Sequence, residues 1–177
     1  MKKNILIIGF MGVGKGTVAR EFVKHCNMFS IDTDDLIESQ EGITIKKIFE
    51  KHGEEYFRNL EQKCADWIEH NVRNTLISTG GGFFKRPNIK KLGTIVYLES
   101  SFDAIMNRIL GASNSAKKLN KRPLLKDAQK AKALFDERMP QYKKLANVVI
   151  NVENKKPKEI VTEILEKVKQ YEDNKHK

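Results

Sequence analysis

Residues Asn4 to Arg20 read NILIIGFMGVGKGTVAR, and the fold is decided by how this stretch divides. The run ILII is continuously apolar and ends on glycine, the pattern of a strand buried on both faces. Gly9, Gly12, Gly14 and Gly16 interrupt it, and from about Lys15 to His25 the apolar residues recur at helical spacing. A strand, a glycine-rich turn and a helix in this order can turn successive backbone N–H groups inward at a helix N-terminus. The partial positive charge of that terminus and the full charge of Lys15 suit the turn to holding phosphate. A plain glycine turn is the weaker alternative.

The spacing G-x-x-x-x-G-K-[ST] is met by Gly9, Gly14 and Lys15 but fails at Gly16. That position ordinarily supplies a hydroxyl to magnesium. Thr17 does not replace it, since one helical step rotates a side chain by about 100°. The loop resembles that of adenylate kinases, which also read G-K-G-T and hold magnesium largely through water. Gly12, Val13, Gly14, Lys15, Gly16 and Thr17 are therefore expected to contact the phosphates of ATP. Asp32 is expected to orient a water on Mg2+.

Beyond this stretch, apolar runs and helical patterns alternate through most of the 177 residues. MFSID, TLIST, TIVYL and NVVIN read as further strands. TIKKIFEKH and EEYFRNLEQKCADWIEH read as helices hinged at Gly53. Helices are also expected over Phe102–Leu110, over Ala128–Lys144 with Pro140 bending its end, and from Pro157 onward. This alternation predicts an α/β fold with a parallel sheet of about five strands covered on both faces. Ligands then gather at the carboxyl ends of the strands. Gly111 to Asn120 is small, polar and aperiodic, so a mobile loop is expected, and the tail from Tyr171 to Lys177 is expected to fray.

Composition sets bounds. Hydrophobic residues at 40% and charged residues at 32% suit one soluble domain, and no run approaches membrane-spanning length. The net charge of +10 points to an anionic partner. The lysines are scattered, without the aromatic interleaving of an RNA-binding strand, so phosphate or carboxylate substrates are expected rather than nucleic acid. Cys26 and Cys64 make no metal or redox spacing and are expected as separate buried thiols in a reducing cytoplasm. Trp67 and the phenylalanines at helical spacing are expected in the core.

The second strand runs into IDTDDLIE. If the chain stays extended there, Asp32 and Asp34 point to one side, one towards a metal and the other towards an acceptor hydroxyl. The other reading is that Asp32, Thr33 or Asp34 caps the following helix; a capping role is preferred for Asp35. GITIKKIFEKHGEEYFRNLE (Gly42–Glu61), STGGGF (Ser78–Phe83), KRPLL (Lys121–Leu125) and FDERMPQY (Phe135–Tyr142) then follow in order. Together these segments resemble the shikimate kinase family over nearly the whole chain, from Asn4 to about Leu165.

The resemblance implies a three-layer α/β/α P-loop fold of the nucleoside-monophosphate-kinase type, with a mobile lid. It implies a single domain over residues 1–170, with a substrate-binding segment at about 33–61, a lid at about 111–123, and a polar tail at 171–177. It implies transfer of the γ-phosphoryl group of ATP to the 3-hydroxyl of shikimate, with Mg2+, by a cytoplasmic monomer with no nucleic-acid or membrane partner. Asp34 would accept a hydrogen bond from the acceptor hydroxyl, more to orient it than to abstract its proton. Arg58, held by Glu61 on the same helix face, and Arg138 would bind the shikimate carboxylate. Gly80, Gly81 and Gly82 would line the pocket, and Arg122 in the lid would close on the phosphates beside Lys15. Arg108, Lys155 and Pro157 are candidates for the adenine end. Two rivals stand beside this: a nucleoside monophosphate kinase, favoured by G-K-G-T alone, and a non-catalytic nucleotide-binding module, supported only by Gly16.

Overall fold

The computed structural model describes residues 3–111 and 123–175 and contains one sheet of five parallel strands. They are β1 (Ile5–Ile8), β2 (Phe29–Asp32), β3 (Thr75–Ser78), β4 (Thr94–Glu99) and β5 (Val148–Asn151), in the spatial order β2-β3-β1-β4-β5. Leu6 lies opposite Ile77 of β3 on one side and Ile95 of β4 on the other, so β1 is the central strand. All four of its residues are buried, which is why the sequence there is apolar without alternation. The chain leaves β1 towards the β2–β3 side and later continues on the β4–β5 side. The turn after β1 therefore sits at the crevice where open parallel sheets bind ligands.

Among the described residues six longer helices flank the sheet: α1 (Lys15–Phe22), α2 (Thr33–Glu41), α3 (Ile45–Asn71), α4 (Phe102–Leu110), α5 (Ala128–Leu145) and α6 (Pro157–Lys175). Side-chain oxygens of Asp32, Thr44, Ser101 and Asp127 cap α2, α3, α4 and α5 by accepting orphan N–H groups of the first turn. Gly53 breaks α3 with φ 81°, so the expected hinge is present. A second, smaller core of Ile37, Ile48, Phe57 and Leu60 forms between α2 and α3, separate from the main core around the sheet. Half-buried Cys64 packs against both.

Several expectations change. Helix α1 ends at Phe22 rather than His25. The chain does not fray at Tyr171; α6 continues to Lys175, because the Tyr171 ring packs on the core and its hydroxyl accepts from Asn147 Nδ2 at 2.9 Å. Trp67 is 47% exposed on α3 rather than in the core, whereas Phe10, Phe22, Phe57, Phe83, Phe84 and Phe135 are buried. Both cysteines are free and half-buried rather than fully enclosed. Between its ends at Gly111 and Pro123, the expected lid, with Arg122, lies outside the described residues.

Candidate active site

The turn between β1 and α1 has the geometry its glycines allow. Gly14 is the N-cap of α1 with φ 104°, and Gly12 has φ 87°, backbone conformations costly for residues with a Cβ. At Gly12 a Cβ would also lie 2.6 Å from Ile109 Cδ1, so α4 closes directly over the turn. Of the first-turn amides of α1, Thr17 N donates to the Gly14 carbonyl at 2.9 Å, and helix geometry leaves the earlier ones to acceptors outside the helix. They open onto a cavity of about 540 Å³ lined by the whole turn from Gly12 to Thr17. Lys15 Nζ donates to the carbonyls of Gly9 at 2.8 Å and Phe10 at 3.2 Å, bending its charge back over the turn. A Cβ at Gly16 would meet only Arg20 Nη1, at an ordinary 3.6 Å, so packing does not forbid a side chain there. Exposed Thr17 accepts from Arg20 Nη2 at 3.4 Å.

Asp32 and Asp34 line the same cavity, and of the two routes open to them the helix cap, not the extended chain, is the one taken. Helix α2 begins at Thr33, so the two acids are not alternate residues of an extended chain. Asp32 is the N-cap: its Oδ1 accepts from Asp34 N at 2.9 Å and its Oδ2 from Ser78 Oγ at 2.7 Å. Asp32, not Asp35, is therefore the capping acid. Each of its oxygens retains a lone pair, and it stays beside the cavity. Asp34 Oδ1 is buried without any hydrogen-bond partner. Burial pushes the Asp34 carboxyl up to about 7; Asp32, Glu61 and Glu38 add to the rise and Lys15 opposes it.

The glycine run after β3 joins the parts. Built onto Gly80, a Cβ would lie 2.5 Å from Asp34 Oδ1; onto Gly81, 3.5 Å from Arg138 Nη1; onto Gly82, 2.6 Å from Arg58 Nη1. Each glycine thus faces one of the three groups proposed to hold the acceptor. Arg138 is 7% exposed, and its Nη1 donates to the Gly81 carbonyl at 3.0 Å while its Nε is buried without a partner. A cation so enclosed and only partly satisfied is poised for an anion. Arg58 donates from Nη1 to Glu61 Oε2 at 2.8 Å, and from Nε and Nη2 to Glu54 Oε1 at 3.1 and 2.8 Å. Burial disfavours its charge, but the two carboxylates outweigh that and hold it more firmly protonated.

Several contributors had no signal in the sequence. Thr33 Oγ1, fully buried, accepts from Gly80 N at 3.0 Å and fixes the start of the glycine run. Tyr142 donates to the Gly81 carbonyl at 2.6 Å, one helical turn beyond Arg138. Burial pushes its hydroxyl up to about 12, so it remains a donor throughout the physiological range. Arg86 donates from Nη1 to the Arg58 carbonyl at 2.8 Å, and its Nε lies 4.0 Å from Glu61. Glu61, 1% exposed, is therefore shared by two guanidinium groups. Tyr142 and Glu54 fall inside the FDERMPQY and HGEEYFR segments, but no periodicity marks them.

Arg108, Lys155 and Pro157 also line the cavity. Arg108 lies over the turn and donates to the Gly12 carbonyl. Lys155 is tied to Glu163 at 2.6 Å, and Pro157 is the first residue of α6. Among the described residues no three carboxylate, histidine or cysteine side chains gather closely enough to hold a metal by themselves.

A family model described as shikimate kinase matches residues 11–169. The chain is 43% identical to a shikimate kinase of Sulfurihydrogenibium sp. (strain YO3AOP1), over 94% of this chain and 98% of that protein. Its structure resembles a shikimate kinase from Acinetobacter baumannii in complex with shikimate, with a TM-score of 0.84 at 29% identity. That match covers 96% of this chain and 94% of the other. It also resembles the shikimate kinase of Aquifex aeolicus, with a TM-score of 0.76 at 37% identity over 94% and 96% of the two chains.

Proposed function

The chain belongs to the shikimate kinase family, and from that premise we propose how its residues carry the family's reaction. That reaction is transfer of the γ-phosphoryl group of ATP to the 3-hydroxyl of shikimate, giving ADP and shikimate 3-phosphate in aromatic amino-acid biosynthesis. The acceptor oxygen forms a bond to the γ-phosphorus as the bond from phosphorus to the β–γ bridging oxygen breaks, and the hydroxyl proton is released. Little covalent work falls to the protein in such a transfer; positioning and charge neutralisation carry it.

The observation that carries the residue assignment is the glycine run. It sets a buried acceptor lacking a donor, Asp34 Oδ1, beside a buried guanidinium whose Nε has no partner, Arg138, and a second guanidinium, Arg58. A small hydroxy acid satisfies all three at once. Its carboxylate takes the two forks, which fix direction as well as charge. Its hydroxyl donates to Asp34. With its carboxyl near 7, Asp34 is matched to receiving the hydroxyl proton at neutral pH, beyond the orienting role expected of it. Neither rival explains this acid-binding half of the site.

Lys15 and the amides from Gly12 to Thr17 receive the ATP phosphates, with Lys15 exchanging its loop carbonyls for phosphate oxygens. Arg108, Lys155 and Pro157 border the nucleoside. The residues fit magnesium held largely through water: Asp32 has free lone pairs beside the phosphate turn, and Mg2+ characteristically keeps several waters. When bound, the ion neutralises charge on the phosphate oxygens. Residues 33–61 act as the substrate-binding segment, and the lid at about 111–123, with Arg122, closes over the phosphates. We assign the protein to the cytoplasm as a monomer; no described helix is long and apolar enough to cross a membrane.

The test is ADP release with and without shikimate, beside AMP, CMP and GMP as acceptors, repeated on Arg58→Ala and Asp34→Asn. Shikimate-dependent release that falls in both variants is expected. Release that ignores shikimate, or prefers a nucleotide acceptor, refutes the reading.

A further inference from the structure

Resting on that reading, we propose that Glu54 is an internal stand-in for the substrate's carboxylate: it occupies the carboxylate-binding edge of Arg58 in the free protein and must be displaced when the acceptor binds. The edge of a guanidinium formed by Nε and Nη2 makes two parallel bonds to a carboxylate. In Arg58 both of these donors are taken by a single oxygen, Oε1 of Glu54. Nη1 is separately held by Glu61 and need not move.

The two glutamates differ in what it costs to release them. The Glu61 side chain is 1% exposed, and stripping its partner would strand a buried charge. The Glu54 side chain is 67% exposed, so water receives it when it lets go. The exchange also favours the newcomer. Glu54 divides one oxygen between two donors, whereas a free carboxylate gives one oxygen to each. The hydrogen bonds and charge of Arg58 hold the Glu54 carboxyl below its usual range against the opposing effect of burial, and Arg138 and Lys85 add smaller contributions. Glu54 is therefore ionised at neutral pH and shares the cationic neighbourhood that the incoming acid must enter. The break at Gly53 places it in the first turn of the second half of α3, four residues ahead of Arg58 and on the same face.

A stand-in raises the apparent KM without touching the transferred phosphoryl group. Glu54→Gln and Glu54→Ala are expected to lower the KM and the directly measured Kd for shikimate about two- to fivefold, the scale of one exposed ion pair. The kcat should be unchanged. With the methyl ester of shikimate, which carries no carboxylate to compete for Arg58, the variants and the parent should bind equally. Unchanged or raised KM in both variants overturns the proposal, the latter making Glu54 a support for Arg58 instead. Equal gains for shikimate and its ester overturn it too, since the gain would not then depend on the carboxylate. If the parent protein itself shows no shikimate-dependent ADP release, the proposed function falls first. If it does and only the Glu54 result fails, the function stands alone.

Discussion

Replacing Gly82 by alanine adds one methyl group, and the structure specifies what that group strikes. The backbone at Gly82, φ −107° and ψ −8°, is one that alanine adopts, so no strain arises from the main chain. The new Cβ would lie 2.6 Å from Arg58 Nη1, 3.1 Å from its Cζ and 3.2 Å from its Nη2. The guanidinium has to retreat by roughly 1 Å to recover ordinary contact, and a side-chain tip can do this without disturbing the fold. Retreat breaks the 2.8 Å bond from Nη1 to Glu61 and misaims the fork. A charge-assisted hydrogen bond contributes about 1.5–3 kcal/mol, or roughly ten- to a hundredfold in binding. A coupled ADP assay with shikimate varied should therefore show KM rising by that factor while kcat falls far less. Gly80→Ala makes the matching contrast. Its Cβ would press on Asp34 Oδ1 at 2.5 Å, so the loss should appear mainly in kcat. If both variants lose activity with the same division between KM and kcat, or if Gly82→Ala leaves KM alone, the assignment of separate glycines to separate groups is wrong.

Gly16→Ser has room, its Cβ meeting only Arg20 Nη1 at 3.6 Å, and should lower the half-saturating magnesium concentration; an unchanged metal requirement refutes the water-held metal. Asp34 has a folded-state carboxyl raised from 3.8 to about 7, so its contribution to stability is complete below the lower value and is lost as pH rises through the upper one. At about 1.4 kcal/mol per pH unit, Asp34→Asn should gain up to ~4 kcal/mol over the parent between pH 4 and pH 8, read by denaturant unfolding at both. The parent's kcat/KM for shikimate should rise with pH, reach half its plateau near 7 and level off above that. Arg58→Ala leaves buried Glu61 facing only Arg86 at 4.0 Å and should cost about 3–5 kcal/mol of stability. Adding Glu61→Gln should recover much of the melting temperature but none of the shikimate affinity, which separates the structural loss from the functional one.

What the amino-acid sequence determined by itself was local in origin. Short continuous apolar runs wrote the five strands, and the 3.6-residue period wrote the helices. The glycine spacing after ILII announced a phosphate turn before any partner was in view, and the resemblance named the acceptor. The tertiary structure decided what depends on separation along the chain. Arg138 reaches Gly81 across 57 residues, and Thr33 holds Gly80 across 47. No local pattern encodes such meetings, because they follow from β3 lying between β1 and β2. The same cause explains the outcome at Asp32: propensity allowed extended chain or helix cap, and the Ser78 hydroxyl arriving on β3 fixed its carboxylate in the cap. Arg86, Tyr142 and the occupancy of Arg58 by Glu54 were likewise invisible, since an arginine or glutamate reads as a solvated surface residue until the sheet order brings its partner beside it.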